Sequence, residues 1–183
     1  MSVSAETTAL LVRAKGGDAD AQNALFGQVY DELKRLARSR RRASRDVTVS
    51  TTGLVHEAYL KMAGADGSWE NRRHFMRIAA GAMRQVLVDR ARARVALKRG
   101  GDARMATLDE GVVGSDDSAA LVLEVNDALD RLATRDADLA GVVELRFFGG
   151  LEVDEVAEVL GVSPRTAARR WALAKALLRV DLT

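Results

Sequence analysis

Residues 151–178 read LEVDEVAEVLGVSPRTAARRWALAKALL. They have the marks of a short helix, a tight turn and a second helix, the arrangement that lays a helix in the DNA major groove. Ala157 is small where the first helix presses on the second. Gly161 falls at the turn, where a left-handed backbone is cheap only for glycine. Val162 tucks under the turn, Ser163 is a natural N-cap, and Pro164, the only proline of the chain, fits the first helical position. Arg165, Thr166, Arg169 and Arg170 follow in the next two turns, with Lys175 further along, placed to reach phosphates and base edges. An ordinary helical hairpin with solvated arginines is the bland reading. Against it, cap, proline, glycine and small residue all fall in register, so DNA recognition is the expectation.

The remainder of the 183 residues reads as helical too. Hydrophobic residues make up 48% and aromatics only 4%; Ala, Leu, Arg, Asp and Glu dominate, a balance that favours helices over strands. The absence of cysteine excludes disulfides and thiolate zinc sites and suits a reducing compartment. No signal-peptide pattern is present, and no apolar run approaches the roughly 20 residues needed to span a bilayer. The expectation is an all-α, cytoplasmic protein without a membrane partner. The small net charge of +2 hides an asymmetry: residues 1–100 hold 19 Lys/Arg against 10 Asp/Glu, and residues 101–183 hold 9 against 16. A basic half is suited to a polyanion, because neutralised phosphates release counterions.

Periodicity divides the chain further. A helix over Ala5–Lys15 is stopped by Gly16-Gly17. A second starts near Asp18, carries Leu25, Val29, Leu33 and Leu36 on one face, and runs into the basic SRRRASR at 39–45. A third covers about Thr52–Ala63, and a loop spans Gly64–Ser68. A long helix from about Asn71 to Lys98 turns Phe75, Ile78, Ala79, Ala82, Met83, Val86 and Leu87 inward and a row of arginines outward. Residues 100–118, GGDARMATLDEGVVGSDDS, have no sustained period and read as a linker. Helical patterning returns at Leu121, Val125, Leu129 and Leu132, and again from Leu139 to Phe148, where Gly149-Gly150 stops it. The expected organisation is therefore a helical domain at 1–99, a linker at 100–118, and a second small helical domain at 119–183 that ends in the helix-turn-helix.

With LVHEAYLKM at 54–62, WENRRHFMRIAAGAMRQVLVDRARAR at 69–94 and ELRFFGGLEVDEVAEVLGVSPRTAARRW at 144–171, nearly the whole chain resembles the extracytoplasmic-function (ECF) sigma factors of bacterial RNA polymerase. The resemblance implies that the helix at 54–62 docks on the clamp of the polymerase's largest subunit. Leu54, Glu57 and Leu60 match the family pattern there, and His56 stands where glutamine is common. It implies that the segment from Gly64 to Phe75 traps a flipped base of the −10 element. Trp69 and Phe75 offer stacking surfaces for such a base, and Asn71, Arg72, Arg73, Arg77 and Arg84 hold the strand; core filling is the competing role for both aromatics. It further implies that Arg165, Thr166, Arg169, Arg170 and Lys175 read the −35 element, and that the flap of the polymerase's second subunit is a further contact. Gly81 stands where many members carry asparagine, so −10 discrimination departs from the family pattern.

A second departure lies before the clamp-binding helix. The family usually carries a short acidic motif there, facing basic residues of the clamp; this chain has Ser50-Thr51-Thr52-Gly53, and nothing between Val47 and Val55 is acidic. Charge pairs across an interface govern partner choice, so the unmodified chain is expected to dock weakly. A phosphate would restore the charge at a helix N-terminus. Thr51 is the favoured acceptor, with Ser50 and Thr52 as alternatives, and simple N-capping is the competing role of these hydroxyls.

Candidate partners are therefore the polymerase core, promoter DNA, a Ser/Thr protein kinase and an anti-sigma factor. No cofactor or metal is expected, and an enzyme is disfavoured: His56 and His74 lie far apart, and no nucleophile–base set or phosphate-cradling glycine loop occurs. The rival reading is a stand-alone helix-turn-helix regulator.

Overall fold

The computed structural model describes residues 9–10, 12–13, 16–43, 51–63, 70–99 and 116–181. Every regular element among them is helical: α1, described at residues 9–10 and 12–13, then α2 (Ala19–Ala43), α3 (Thr51–Ala63), α4 (Arg72–Arg99), α5 (Asp116–Arg135), α6 (Ala137–Val143), a π-helical turn (Glu144–Phe148), α7 (Val153–Leu160) and α8 (Pro164–Asp181). The all-α expectation holds. The expected loop at Gly64–Ser68 and most of the expected linker lie outside the described residues; the last expected linker residues, Asp116 to Ser118, are helical.

Local chemistry sets the helix ends. The Asp18 carboxylate accepts the Ala21 N–H at 3.0 Å and opens α2. That bond, and behind it the Arg13 guanidinium, holds the Asp18 carboxyl below the usual carboxylate range. The Asn71 side chain accepts the His74 N–H at 3.0 Å ahead of α4. Asp136 breaks α5 from α6 by adopting an extended backbone and accepting the Leu139 N–H at 2.9 Å. The sequence does not announce the π turn, in which the Gly149 N–H reaches back five residues to the Glu144 carbonyl at 2.9 Å. Gly150, at φ +69°, then turns the chain into α7.

The apolar faces of α2, α3, α4, α5, α6, α7 and α8 meet in one continuous buried cluster. Leu33, Leu36, Val55, Met62, Met76, Met83 and Val86 line its first half; Leu129, Val142, Val143, Phe148 and Leu151 line its second. Burying side chains of this size contributes about 1.5–3 kcal/mol each. Leu121, expected to face inward, is 46% exposed, and Val122 takes its place. Val122, Val125, Leu129 and Leu132 keep helical spacing at least as well, so the pattern permitted either residue.

Helix α4 lies centrally. It packs on α3 on one side and on α5, the π turn and α7 on the other. The contact with the π turn is a close one: a Cβ built on Gly149 would stand 3.0 Å from the Ala80 Cβ. Only a glycine lets the backbones approach so far.

Candidate nucleic-acid interface

The C-terminal pair α7 and α8 has the geometry that its residues prescribe. Glu152 and Glu155 cap α7 reciprocally. Gly161 ends it in the left-handed conformation at φ +69°, and the Val162 N–H closes the turn on the Ala157 carbonyl at 3.0 Å. The Ser163 hydroxyl accepts the Thr166 N–H at 3.1 Å and opens α8. Ala157 and Ala167 are buried where the helices touch. Arg165 and Arg169 project into solvent and pair with no carboxylate among the described residues. Thr166 is half-buried and bonds to the Ser163 hydroxyl. Arg170 is tied to Asp138 of α6 at 2.5 Å. Lys175 lies over the Trp171 ring at 5.4 Å.

The residues expected at the −10 element fall into four groups. Trp69 lies outside the described residues. Arg73 and Arg77 are exposed on α4, whereas Asn71 caps that helix and Phe75 is buried in the apolar cluster. Arg72 and Arg84 are engaged by carboxylates. Arg72 contacts Glu32 of α2 at 3.1 Å and Glu158 of α7 at 3.2 Å. Arg84 donates to Asn126 at 2.9 Å and Asp130 at 2.5 Å of α5, and lies 3.5 Å from Glu144.

Helix α3 carries the residues expected to meet the polymerase. His56 and Leu60, one turn apart, are exposed. Glu57 is half-buried and holds Arg90 of α4 at 2.5 Å, while Leu54 is buried in the core. The first turn of α3 contains no acidic residue. Thr52 is exposed there; the Thr51 side chain and all of Ser50 lie outside the described residues. The Arg90 guanidinium stands beside this turn, 3.0 Å from where a Cβ on Gly53 would be.

A helix-turn-helix at one end, an arginine-rich helix at the centre and nearly full-length family agreement decide the assignment: the family model described as ECF sigma factor matches residues 4–183. The chain belongs to the ECF sigma factor family. No curated protein and no solved structure gave a significant match. As an ECF sigma factor it is a DNA-binding transcription initiation factor that works with RNA polymerase rather than an enzyme. No helix among the described residues is long and apolar enough to cross a membrane, and no group of three or more metal-ligating side chains occurs among them.

Two residues of this sigma factor have roles that only the folded structure reveals. Arg146, in the π turn, donates to the Leu151 carbonyl and to Glu152 at 2.9 Å, and its guanidinium lies 5.6 Å from the centre of the Trp171 ring. It thereby ties the start of α7 to the middle of α8. Asn126 is the other, a buried polar residue whose amide oxygen faces Arg84. Arg146 lay within the segment that carried the resemblance. Nothing local marked Asn126, whose partner is 42 residues away.

Proposed function

We propose that this sigma factor grips a promoter at two places and that phosphorylation near Thr51 licenses its docking on the polymerase. In this reading residues 1–99 bind the clamp and the −10 element, and residues 119–183 read the −35 duplex. Exposed Arg165 and Arg169 at the start of α8 support the second assignment, because phosphate and base-edge contacts need unpaired cations at the groove. Arg73 and Arg77, exposed on α4, support the first. Promoter DNA and core polymerase are thus the partners, and an anti-sigma factor remains a candidate.

The observation that carries the phosphorylation reading is the first turn of α3, which bears hydroxyls and no acid at the place where the family uses carboxylates. A phosphoryl group there adds about −1.5 to −2 charges at a positive helix end. Arg90 lies beside that turn, and Glu57, His56 and Leu60 follow on the same helix. The test measures affinity for core polymerase using the unmodified chain, Thr51→Ala, and the chain phosphorylated at Thr51. The phosphorylated form should bind at least about tenfold more tightly, equivalent to 1.4 kcal/mol. Full-strength binding by the unmodified chain refutes the requirement.

A further inference from the structure

We propose that the carboxylates of the C-terminal half act as internal substitutes for DNA phosphates and hold the free protein closed, with two of its strand-binding arginines masked. The proposal rests on the reading of Arg72 and Arg84 as DNA contacts. Four groups of the C-terminal half converge on Arg84. Asn126 and Asp130 accept its N–H groups, Glu144 lies 3.5 Å away, and the ring of Phe148 lies 5.7 Å below it. Arg72 is shared between Glu32 and Glu158, and Arg35 between Glu32 and Glu155, so α7 contributes two carboxylates to the same seam. Glu32, and with it Glu155, makes the Arg35 guanidinium harder to deprotonate. Arg73 stands at the turn of the helix-turn-helix itself, 3.4 Å from where a Cβ on Gly161 would be.

The two sides of the pairing differ in exposure. The side chains of Arg72 and Arg84 are 18% and 20% exposed, whereas Asp130, Glu144 and Glu158 remain 63%, 32% and 48% exposed. Solvent-facing ion pairs of this kind are individually weak and screened by salt. A strand with a phosphate at every nucleotide therefore competes for the same guanidinium groups. Arg84 already commits donors to Asn126 and Asp130 and lies 3.5 Å from Glu144, so a phosphate gains its full share of this guanidinium only when the seam opens. The underlying contact is apolar and close-packed, through Ala80 and Gly149.

The test uses the full chain, without polymerase. Because the chain has no cysteine, Arg38→Cys and Ala133→Cys, both at exposed positions, give unique sites for a fluorescent donor and acceptor. Three versions are compared: unaltered, Asp130→Asn/Glu144→Gln/Glu158→Gln, and Ala80→Leu, which wedges the Gly149 contact without changing charge. Circular dichroism verifies that each is folded. Energy transfer should fall in both altered versions. Affinity for a single-stranded oligonucleotide should rise about tenfold, as it does when a binding-competent state goes from about a tenth populated to dominant. The salt dependence of that affinity should steepen, since added salt no longer assists by loosening the seam. Unchanged energy transfer in the triple variant overturns the electrostatic latch. Opening without a gain in affinity overturns the masking. Both outcomes are read without transcription, so they are distinct from a failure of the sigma-factor reading, which would appear as absent promoter-specific transcription with core enzyme.

Discussion

A methyl group at Gly161 would sit 3.4 Å from the mobile end of Arg73, but the backbone there is at φ +69°. The strain of a left-handed alanine therefore dominates, and Gly161→Ala should lower stability by about 1–2 kcal/mol, read as a shift in the denaturation midpoint. Gly81 is the opposite case. It lies in the interior of α4 with nothing nearer to a new Cβ than a Glu144 oxygen at 4.0 Å. Gly81→Ala should stabilise the protein by about 0.5–1 kcal/mol in the same measurement, because it removes backbone freedom without a clash. Ser163→Ala removes the cap of α8 and should cost about 1 kcal/mol. These residues were legible in the sequence because their effects are local. A glycine, a serine and a proline at fixed offsets specify φ angles and a cap by themselves. Asn126 was not legible, since its role is defined by an arginine brought to it by folding.

At the scale of the element, α8 presents two kinds of arginine. Arg165 and Arg169 are exposed, while Arg170 is held by Asp138, and Arg146 and Lys175 both approach the Trp171 ring. Arg165→Ala and Arg169→Ala should leave the melting temperature within about 1–2 °C of the parent. Where the lost contact is to phosphate, each should weaken binding to −35 duplex and reduce the salt slope by about 1. Arg146→Ala should act differently. It removes the tie between α7 and α8, so both stability and duplex affinity should fall, with partial recovery in Arg146→Lys. Helix existence, order and most boundaries followed from periodicity, with α3 and α4 found within a residue of their expected starts. The π turn did not, because a single wider turn leaves the apolar pattern of Leu145 and Phe148 compatible with an ordinary helix.

At the scale of the whole molecule, the charge asymmetry visible in the sequence takes a concrete form. Basic α2 and α4 face carboxylates of α5, α7 and the π turn, above an apolar seam that includes Ala80 and Phe148. Composition showed that the halves were complementary but could not show which residues met, since Arg84 and Asp130 are joined only by tertiary packing. The same geometry leaves Arg165 and Arg169 of α8 and Arg73 and Arg77 of α4 exposed. The most direct test of the two-grip account is run-off transcription from a cognate promoter, using core polymerase and the chain phosphorylated at Thr51. A discrete transcript is predicted when core and chain are combined and none with either alone, with Arg165→Ala/Arg169→Ala abolishing it on duplex template. A chain that footprints its site without core polymerase and yields no transcript with it would contradict the account.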